Sequence, residues 1–369
     1  MNANPPEPLC LFLCGDVMIG RGIDQVLPYP GNPELHEPGV CDARAYVQIA
    51  ERVHGSIQQP VAFDYIWGDA LEELQCAKAD VRIANLETSI TTSDDFWPDK
   101  DVHYRMHPRN VDCIKAAQIG CCCLANNHVM DWGHSGLDET LCTLDAAGVA
   151  HAGAGRNSGE AAAPATIDVP GKDRVLVFSF GSVTSGIPWE WRATADRPGV
   201  NLLEDLSEGS ADRIADEMRQ HAQPDDVLVA SIHWGSNRGY ELPQTQVRFA
   251  RCLVERGIAV VHGHSSHHVR PIEVHRDRLI LYGCGDFIND YEGIAGYEAF
   301  RDDLTLMYLV KVDSQECRIV DVRMVPMQMR RFRLNRASLA DARWLCELLN
   351  RLGLPARLEA DKSIVLAVR

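Results

Sequence analysis

The chain has 369 residues, of which 46% are hydrophobic and 24% are charged, a composition typical of an ordinary globular protein. Its 52 acidic and 36 basic residues give a formal net charge of −16, which argues against sequence-independent binding to DNA or RNA, because such binding neutralises phosphates with Lys and Arg. The charge also disfavours a basic face for anionic membranes. A small anionic substrate stays open, since a metal ion can supply positive charge locally.

The N-terminal segment has no basic region and runs straight into the first predicted strand, and no apolar run is long enough for a transmembrane helix. We therefore expect neither a signal peptide nor a membrane anchor. The thirteen cysteines are an odd number, and several lie inside predicted strands, which favours buried reduced thiols over a disulfide framework. These features predict a cytoplasmic protein.

The predicted elements alternate between strands and helices along the chain, which indicates an α/β fold. Strands are predicted at 9–14, up to Asn85, at the Cys-rich run 121–123, at 165–169, at 174–181, up to His233, up to His262, within a β-rich stretch at 271–332, and at the C-terminus. Helices are predicted at 66–77, 110–120, 135–148, 209–222 and 243–257, and after Ala337.

The helix at 135–148 has Ser135 as its expected N-cap and Gly148 as its stop. The Pro- and Gly-rich stretch 28–60 is long for a connection in a compact domain, and it predicts a functional loop or a lid-like insertion. Residues 9–330 are predicted to form one domain, with 337–369 as a small C-terminal helix–strand appendage.

Five short polar motifs each follow directly after an apolar run that predicts a buried strand. The motifs are Gly15-Asp16, Asn85-Leu86-Glu87, Asn126-Asn127-His128, His233-Trp234-Gly235 and Gly263-His264-Ser265-Ser266-His267-His268. Because ligands of α/β folds bind at the carboxyl ends of strands, we expect these side chains to form one site. Asp, Glu, Asn and His are together the ligands of a hard or borderline divalent metal, so the motifs predict a metal centre.

A centre of this kind keeps a position open for water or substrate, and the metal lowers the pKa of its bound water to about 7. Two neighbouring metals need a bridging ligand, and Asp16 and Glu87 are the candidate carboxylates. A His that is not a ligand can protonate a leaving group, because its pKa suits that task. Mn²⁺, Zn²⁺, Fe²⁺, Co²⁺ and Mg²⁺ all suit these ligands, with one or two ions expected per chain.

The motifs in this order resemble the capsule-synthesis protein A (CapA) family, linked by name to poly-γ-glutamate capsule synthesis, within the calcineurin-like metallophosphoesterase superfamily. The matching segments are GDVMIGR (15–21), ANLETSIT (84–91), ANNHVMDWGHSGLDETLCTLDAAGV (125–149), AGAGRN (152–157), SIHWG (231–235), HGHSSHHVRPIEV (262–274) and LYGCGDFIND (281–290). The resemblance covers most of the chain, from residue 9 to about 330. It implies two packed β-sheets flanked by helices, in a four-layer αββα sandwich.

The resemblance also implies a role for each motif residue. The implied ligands are Asp16 and His267 for the first metal, Asn127, His233 and His264 for the second, and Glu87 at the bridging position. His128 would be the proton donor. Met18 stands where the superfamily has a His two residues after the Asp, so the first site is expected to be short of a ligand. The choice between His267 and His268 as ligand stays open.

Substrate contacts are predicted from arginine and aromatic side chains near the motifs, because such residues on loops often bind substrates. The predicted contacts are Arg21, Arg105, Trp191 and His268. Asn85 is predicted to be structural, since Asn is a frequent turn former. For Asp131, a role at the start of the following helix is at least as good an interpretation as a role in the site. Asp286 is either a support of the site or structural.

The favoured reaction is hydrolysis of a phosphoester, or of a related ester or amide, by a metal-bound hydroxide with His128 as general acid. This assignment rests on analogy with the superfamily. Two alternatives stay open: a metal-dependent peptide epimerase, in which a His removes an acidified Cα proton, and a non-catalytic accessory protein of polyglutamate synthesis. We expect a small-molecule or peptide substrate and no nucleic acid, with the metal identity and oligomeric state left open.

Overall fold

The structure is a computed structural model that describes residues 7–296 and 298–366. Its strands are β1 (Leu9–Val17), β2 (Glu34–Glu37), β3 (Val40–Asp42), β4 (Val81–Leu86), β5 (Ser89–Ile90), β6 (Arg105–Met106), β7 (Cys121–Cys123), β8 (Ala150–Ala152), β9 (Ala154–Gly155), β10 (Ala165–Ile167), β11 (Val175–Gly181), β12 (Gly199–Val200), β13 (Val227–His233), β14 (Val260–His264), β15 (Ile272–His275), β16 (Arg278–Leu281), β17 (Asp286–Ile288), β18 (Leu304–Asp313), β19 (Arg318–Met329), β20 (Leu334–Arg336), β21 (Ala356–Leu358) and β22 (Ile364–Leu366).

The helices in the same part of the chain are α1 (Arg21–Val26), α2 (Arg44–His54), α3 (Ala70–Ala77), α4 (Asp112–Ala116), α5 (Gly133–Ala147), α6 (Ser158–Ala162), α7 (Glu208–His221), α8 (Gln244–Glu255) and α9 (Leu339–Arg351). Short 3₁₀ turns lie at Tyr65–Trp67, Pro108–Asn110, Val183–Ser185 and Trp189–Trp191. Among the described helices, none combines the length and apolar character that crossing a bilayer requires. The thirteen cysteines carry free thiols, and those of β7 are buried.

Two large sheets form the centre of the fold. The first sheet has the strand order β21-β22-β19-β18-β1-β4-β7-β8, with β17 also paired to β1 and β20 to β19. In this sheet β1 runs parallel to β4 and antiparallel to β18. The second sheet has the order β10-β11-β13-β14-β16-β15, in which β11, β13, β14 and β16 are parallel neighbours. Parallel strands end on the same edge of a sheet, so each sheet presents several carboxyl ends together.

The alternation of side chains along β1 shows how the layers are built. Leu11 and Leu13 point into an apolar core between the two sheets, where they join Val229 of β13. Phe12 points the opposite way, into a second core under the helices of the first sheet, because neighbouring residues of a strand face opposite sides. A third core packs α7 and α8 on the outer face of the second sheet. This order of helices, sheet, sheet and helices confirms the predicted four-layer αββα fold.

Several predicted boundaries need correction. The helix predicted at 135–148 begins at Gly133, and Ser135 lies inside it, where its Oγ donates to Asp95 Oδ2 at 3.3 Å rather than capping the helix. Its predicted stop is confirmed, because Gly148 has the left-handed conformation with φ +68°. The strand predicted to end at His262 continues to His264.

Other elements are shorter or more divided than the sequence pattern predicts. The predicted helix 66–77 is a 3₁₀ turn followed by α3. The predicted helix 110–120 is reduced to the short helix α4. The C-terminal helix is confirmed as α9, but two strands follow it rather than one. Since β22 pairs with β19, this segment extends the first sheet, and Leu345 and Leu349 of α9 pack into the core between the sheets. Residues 367–369 of the predicted appendage lie outside the described residues.

The stretch 28–60 is an ordered substructure and contains the hairpin β2–β3 and helix α2. Arg21 joins it to the rest of the fold, because the buried guanidinium pairs with Glu37 at 3.1 Å and with Asp290 at 2.5 Å. Tyr46 of α2 completes the cluster, since its ring lies 4.0 Å from the Arg21 guanidinium carbon. The role of this stretch as a lid stays a prediction.

Candidate metal centre

The polar motifs of both sheets meet at one place. Asp16 is the penultimate residue of β1, Glu87 follows β4, and His233 and His264 end the adjacent strands β13 and β14. All four side chains are buried, with 2% exposure or less. The register explains the grouping, because Asp16 lies opposite Asn85 in the first sheet and His233 lies opposite His264 in the second. The site therefore sits across the gap between the two sheets, at the carboxyl ends of their parallel strands.

Two glycines of the motifs are required by close packing at this edge. A Cβ on Gly15 would lie 1.7 Å from the carbonyl oxygen of Gly285, so only glycine allows β1 to pass this turn. A Cβ on Gly263 would lie 2.5 Å from the carbonyl oxygen of Leu281. The glycines thus permit the approach that brings Asp16 and His264, the residues that follow them, into the site.

Asn85 holds the two central carboxylates. Its Nδ2 donates to Asp16 Oδ1 at 2.7 Å and to Glu87 Oε2 at 3.2 Å. The second oxygen of Asp16 accepts from the backbone N–H of Ser265 at 3.2 Å. Ser265 has a φ of +93°, a strained conformation for a residue with a side chain. Asn85 was predicted to be structural rather than a ligand, and its Nδ2 acts as a donor that orients two of the candidate ligands, Asp16 and Glu87.

Two carboxyl groups of the site, those of Asp16 and Glu87, are buried, where water cannot stabilise their negative charge. Burial raises the pKa of Asp16 to about 7, and the nearby charge of Asp286 adds to this effect. Burial, together with the charges of Asp16 and Asp286, also raises the pKa of Glu87 well above its usual range. A divalent cation would compensate these charges, so the donor set fits a bound metal.

A chain of hydrogen bonds fixes the orientation of His264. Nε2 of the buried His262 lies 2.8 Å from the Cys14 carbonyl oxygen and must donate to it. With Nε2 of His262 as the donor to Cys14, Nδ1 of the same ring accepts from Ser231 Oγ at 3.0 Å, and Ser231 Oγ accepts from His264 Nε2 at 2.9 Å. His264 Nδ1 is thereby left without a proton, facing His233 Nδ1 at 2.8 Å. A lone pair of His264 is thus presented to the site, as a metal ligand requires.

Two groups of side chains within the described residues have the spacing of metal ligands. The first group is Asp16, His267 and Asp286, and the second group is Asp16, His233 and His264; in each, one ligand atom per residue lies within 4.8 Å of the others. Asp16 belongs to both groups, which is the position that a bridging carboxylate takes.

The remaining predicted ligands lie at the borders of these groups. Asn127 Oδ1 is 2.8 Å from His233 Nε2, on the side of the second group. Glu87 Oε1 is 3.9 Å from the same nitrogen of His233. His267 belongs to the first group, whereas His268 is turned away, with its Nε2 accepting from the Gly239 N–H at 3.1 Å and its ring stacked on Phe300.

His128 lies beside the metal groups and is held by Asp131. Its Nδ1 donates to Asp131 Oδ2 at 2.6 Å, while its Nε2 points towards Glu87 Oε1 at 3.8 Å. Lys100 binds the other oxygen of Asp131 and the Asn127 carbonyl oxygen. Burial lowers the pKa of His128 to about 4, although Asp131 opposes the shift. At neutral pH, therefore, His128 is neutral, with a lone pair on Nε2.

Lys100 and the pairing function of Asp131 were missed by the sequence analysis. Asp131 carried a weak signal, because it stands three residues after His128, within reach of its ring at the entry of α5. Lys100 lies in an irregular loop without a motif, and nothing in its sequence context indicates its partner.

A cavity of about 690 Å³ lies next to the ligand groups and reaches them at His267 and Asn127. It is lined by Arg21, Glu37, Pro38, Tyr46, Lys100, Asp101, Val102, Asn127, His128, Asn237, Arg238, His267, Tyr291 and Ile294. His267 of the first metal group and His128, which lies beside the groups, thus line the same cavity. Its volume lies within the range of small-molecule sites.

Of the four predicted substrate contacts, only Arg21 lines this cavity. Its guanidinium is already paired with Glu37 and Asp290, which assigns it a structural role. The other three, Arg105, Trp191 and His268, are buried in packing contacts outside the cavity wall.

The packing of Arg105 and Trp191 explains why these two side chains do not line the cavity. The Arg105 guanidinium stacks 3.7 Å above the Trp132 ring and donates to the Ser93 carbonyl oxygen at 2.6 Å. Trp191 has 0% exposure and packs edge-on against Trp97. The structure gives both residues a packing role rather than contact with a substrate in this conformation.

Comparison with known proteins places these features in context. Residues 10–291 match the family described as bacterial capsule synthesis protein PGA_cap. A probable polyglutamine synthesis accessory protein of Mycobacterium tuberculosis (strain CDC 1551 / Oshkosh) is 44% identical over 351 residues, which are 95% of this chain and 92% of that protein. The capsule biosynthesis protein CapA of Bacillus anthracis is 23% identical over 304 residues, 82% of this chain and 64% of that protein. The crystal structure of a 5'-nucleotidase precursor from Thermus thermophilus aligns with a TM-score of 0.49 and 14% identity, over 94% of this chain and 59% of that chain.

Proposed function

From the fact that this chain belongs to the bacterial capsule synthesis protein PGA_cap family, we propose that it is a metal-dependent enzyme. The proposed reaction is hydrolysis of a phosphoester or of a related ester or amide bond. The observation that carries the proposal is the sharing of Asp16 by two ligand groups, next to a cavity that is lined by His267 of the first group, by Asn127 at the border of the second, and by His128.

The residues proposed to hold metal are those of the two groups, with Asn127 and Glu87 at their borders. One or two divalent metals bound there would polarise the bond to be cleaved and lower the pKa of a water molecule. The ligand types suit Mn²⁺, Zn²⁺, Fe²⁺, Co²⁺ or Mg²⁺, and cellular supply decides among them as much as geometry does.

His128 is proposed to carry a proton at Nε2 towards the leaving group. Asp131 holds the Nδ1–H of the ring, so that Nε2 faces the cavity. The pKa of His128 is low in the free protein because the ring is buried. An anionic substrate next to the ring raises this pKa, since an opposite charge within a few ångströms favours the protonated form. Protonation of His128 is thus coupled to substrate entry.

The proposed substrate is a small molecule or peptide with an anionic group. Lys100 and Arg238 supply positive charge to the cavity wall. Two relatives are named for polyglutamine synthesis and for capsule biosynthesis. On this basis we propose that the natural substrate of the present chain is a polyglutamate chain or a phosphorylated intermediate of its synthesis.

The experiment measures metal content and hydrolysis in the same samples. Purified protein is reconstituted with Mn²⁺ or Zn²⁺ and assayed on p-nitrophenyl phosphate, bis-p-nitrophenyl phosphate and γ-linked glutamate peptides. We expect His128→Asn to keep its metal and lose about 10² to 10⁴-fold in kcat, as removal of a general acid does. His233→Ala should lose both metal and activity. Hydrolysis that is unchanged in both variants, or absent from all substrates in metal-loaded protein, would refute the proposal.

The pKa of His128 supports a second candidate, a metal-dependent peptide epimerase. A neutral imidazole with its Nε2 lone pair towards the cavity is prepared to accept a proton rather than to donate one. The same metal centre would then acidify a Cα–H beside a coordinated carbonyl. Incubation with peptides in D₂O separates the two reactions, because an epimerase incorporates deuterium at Cα without cleaving the chain.

A non-catalytic accessory role is the third candidate, in keeping with the name of the Mycobacterium tuberculosis relative. In that case, polymer synthesis in cells would tolerate His128→Ala and Asp16→Ala. A loss of synthesis in His128→Ala, with normal protein levels, would exclude this candidate.

A further inference from the structure

We propose that Asp286 is the third protein ligand of the first metal, in the place left by Met18, and that the first site therefore has one imidazole ligand where the second has two. The inference rests on the proposed metal-dependent function. It predicts two unequal sites, of which the first prefers a hard cation such as Mn²⁺ and the second suits Zn²⁺.

The position of Asp286 follows from strand pairing. The short strand β17 runs parallel to β1, and its register places Asp286 opposite Asp16. The turn before it passes directly over Gly15, since the Asp16 N–H donates to the Gly285 carbonyl oxygen at 3.1 Å. Asp286 is thus brought to Asp16 by the backbone itself, and the position of its carboxylate does not depend on a mobile loop.

Met18 cannot take the missing role. It is fully buried, and its sulfur lies 3.6 Å from the Tyr291 hydroxyl. A thioether is a soft donor that suits copper(I) rather than the hard or borderline cations of a carboxylate site. The first group therefore obtains its third ligand from Asp286, far along the chain, instead of from the residue two positions after Asp16.

The carboxylate of Asp286 is held in place on both sides. Its Oδ1 lies 2.8 Å from His267 Nδ1, and its Oδ2 accepts from Asn289 Nδ2 at 3.1 Å. Such contacts orient a ligand before the metal binds. With Asp16, the first group holds two carboxylates and one imidazole, whereas the second group holds one carboxylate and two imidazoles. This difference in donor atoms is the basis of the expected difference in metal preference.

The test uses Asp286→Asn, which keeps the size of the side chain and removes its charge. Asp302→Asn is the matched control, because burial and then the nearby charge of Asp286 raise the pKa of Asp302, and yet Asp302 is outside both groups. A double variant, Asp286→Asn with Met18→His, restores a ligand at the position where the superfamily has one. Each protein is reconstituted with Mn²⁺ alone and with Zn²⁺ alone, and metal per chain is measured by mass spectrometry together with the electron paramagnetic resonance of bound Mn²⁺.

We expect about two Mn²⁺ per wild-type chain with a spin-coupled signal, and about one Mn²⁺ with an uncoupled signal in Asp286→Asn. The double variant should regain the second ion, and Asp302→Asn should match the wild type. If Asp286→Asn retains both ions at unchanged affinity, or if Asp302→Asn loses an ion equally, the inference is overturned while the proposed function stands. One ion per wild-type chain, retained by Asp286→Asn, overturns it in the same way. Absence of metal from the reconstituted wild type overturns both proposals.

Discussion

Ser231 Oγ lies 2.9 Å from Nε2 of His264 and so determines which nitrogen of that ring faces the metal groups. The contact comes from a residue of β13 two positions before His233, on the face of the strand that points to the gap between the sheets. The buried hydroxyl of Ser231 therefore determines which nitrogen of His264 is available to bind a metal.

Replacement of Ser231 by Ala should weaken metal binding by about 10 to 100-fold, as loss of a group that orients a ligand does. The physical reason is that His264 Nε2 loses its partner, and the ring is then free to change tautomer. Titration with Zn²⁺ against a chelator of known affinity measures the effect. Ser179→Ala is the control, because Ser179 is equally buried in the neighbouring strand β11 but does not contact a histidine through any described bond. Equal affinities in both variants would contradict this role.

Asp131→Asn should lower turnover by about 10²-fold or more while metal content stays unchanged. The amide no longer favours a proton on His128 Nδ1, so the ring can present the wrong nitrogen to the cavity. Steady-state kinetics on the substrate found in the hydrolysis screen, with metal analysis of the same samples, measures both effects. Asp138→Asn on the exposed face of α5 is the control and should behave as wild type. A fall in metal content in Asp131→Asn would show that Asp131 supports the metal groups instead.

Metal affinity should rise with pH up to about 7. In the metal-free folded protein the pKa of Asp16 is raised to about 7 by burial and by Asp286, so a bound metal must displace its proton. For that one proton we expect about a tenfold gain in Mn²⁺ affinity per pH unit between about pH 5 and pH 7, and no further gain from it above about pH 8. Calorimetric titrations across this range measure the slope.

The same shift predicts that the metal-free protein becomes less stable as pH rises. Asp16 keeps its proton in the folded state up to about pH 7 but loses it near its usual pKa in the unfolded state, so its contribution to stability is lost between these values.

In the metal-binding titrations, Asp24→Asn is the control for the slope of affinity against pH, because Asp24 is also buried, with its pKa raised to about 6, and lies outside both metal groups. A flat affinity profile in the wild type would refute the proton displacement.

Gly15→Ala should lower the free energy of unfolding by about 3 kcal/mol or more, since the new Cβ would overlap a backbone oxygen that no side-chain rotation can move away. The clash distance to the Gly285 carbonyl oxygen is 1.7 Å. Gly120→Ala is the control, because its nearest contact would be an ordinary 3.6 Å. Urea unfolding of both variants measures the difference. Equal stability of the two would mean that the turn at Gly285 moves freely.

Arg21→Gln should release the substructure formed by β2, β3 and α2. Glu37 and Asp290 are both buried, and the loss of the cation leaves them without their ion pair, at a cost of about 3 to 5 kcal/mol. Arg44→Gln removes the exposed pair with Asp42 on the same substructure and should have little effect on stability, because solvent screens an exposed ion pair. Hydrogen exchange over residues 34–54 compares the two. Equal protection in both variants would show that Arg21 does not hold this segment.

The strands that carry the site could be predicted because their apolar runs are short and end in polar motifs. Leu11 and Leu13 bury one face of β1, Phe12 buries the other, and the run leads directly to Asp16. A strand buried on both faces leaves a continuous apolar signal. The same reasoning applies to the strand that ends at His233.

The remaining contacts depend on tertiary structure that local patterns do not encode. Asp286 reaches Asp16 through the register of β17, and Lys100 reaches Asp131 from an irregular loop. Arg105 and Trp191 looked like loop residues available to a substrate, but packing against Trp132 and Trp97 buries them. The insertion at 28–60 was predicted as a loop because Pro and Gly hide the hairpin and helix that it contains.

The neighbours of β1 have a consequence for how the chain is made. This first strand sits between β4, which follows soon after it, and β18, which begins only at Leu304. While the ribosome is still producing the middle of the protein, one edge of β1 has no partner, and an unpaired apolar edge is prone to aggregate. The first sheet can be completed only after most of the chain has emerged, so we expect folding to be completed after synthesis. We also expect fragments that end before β18 to require chaperones or to precipitate.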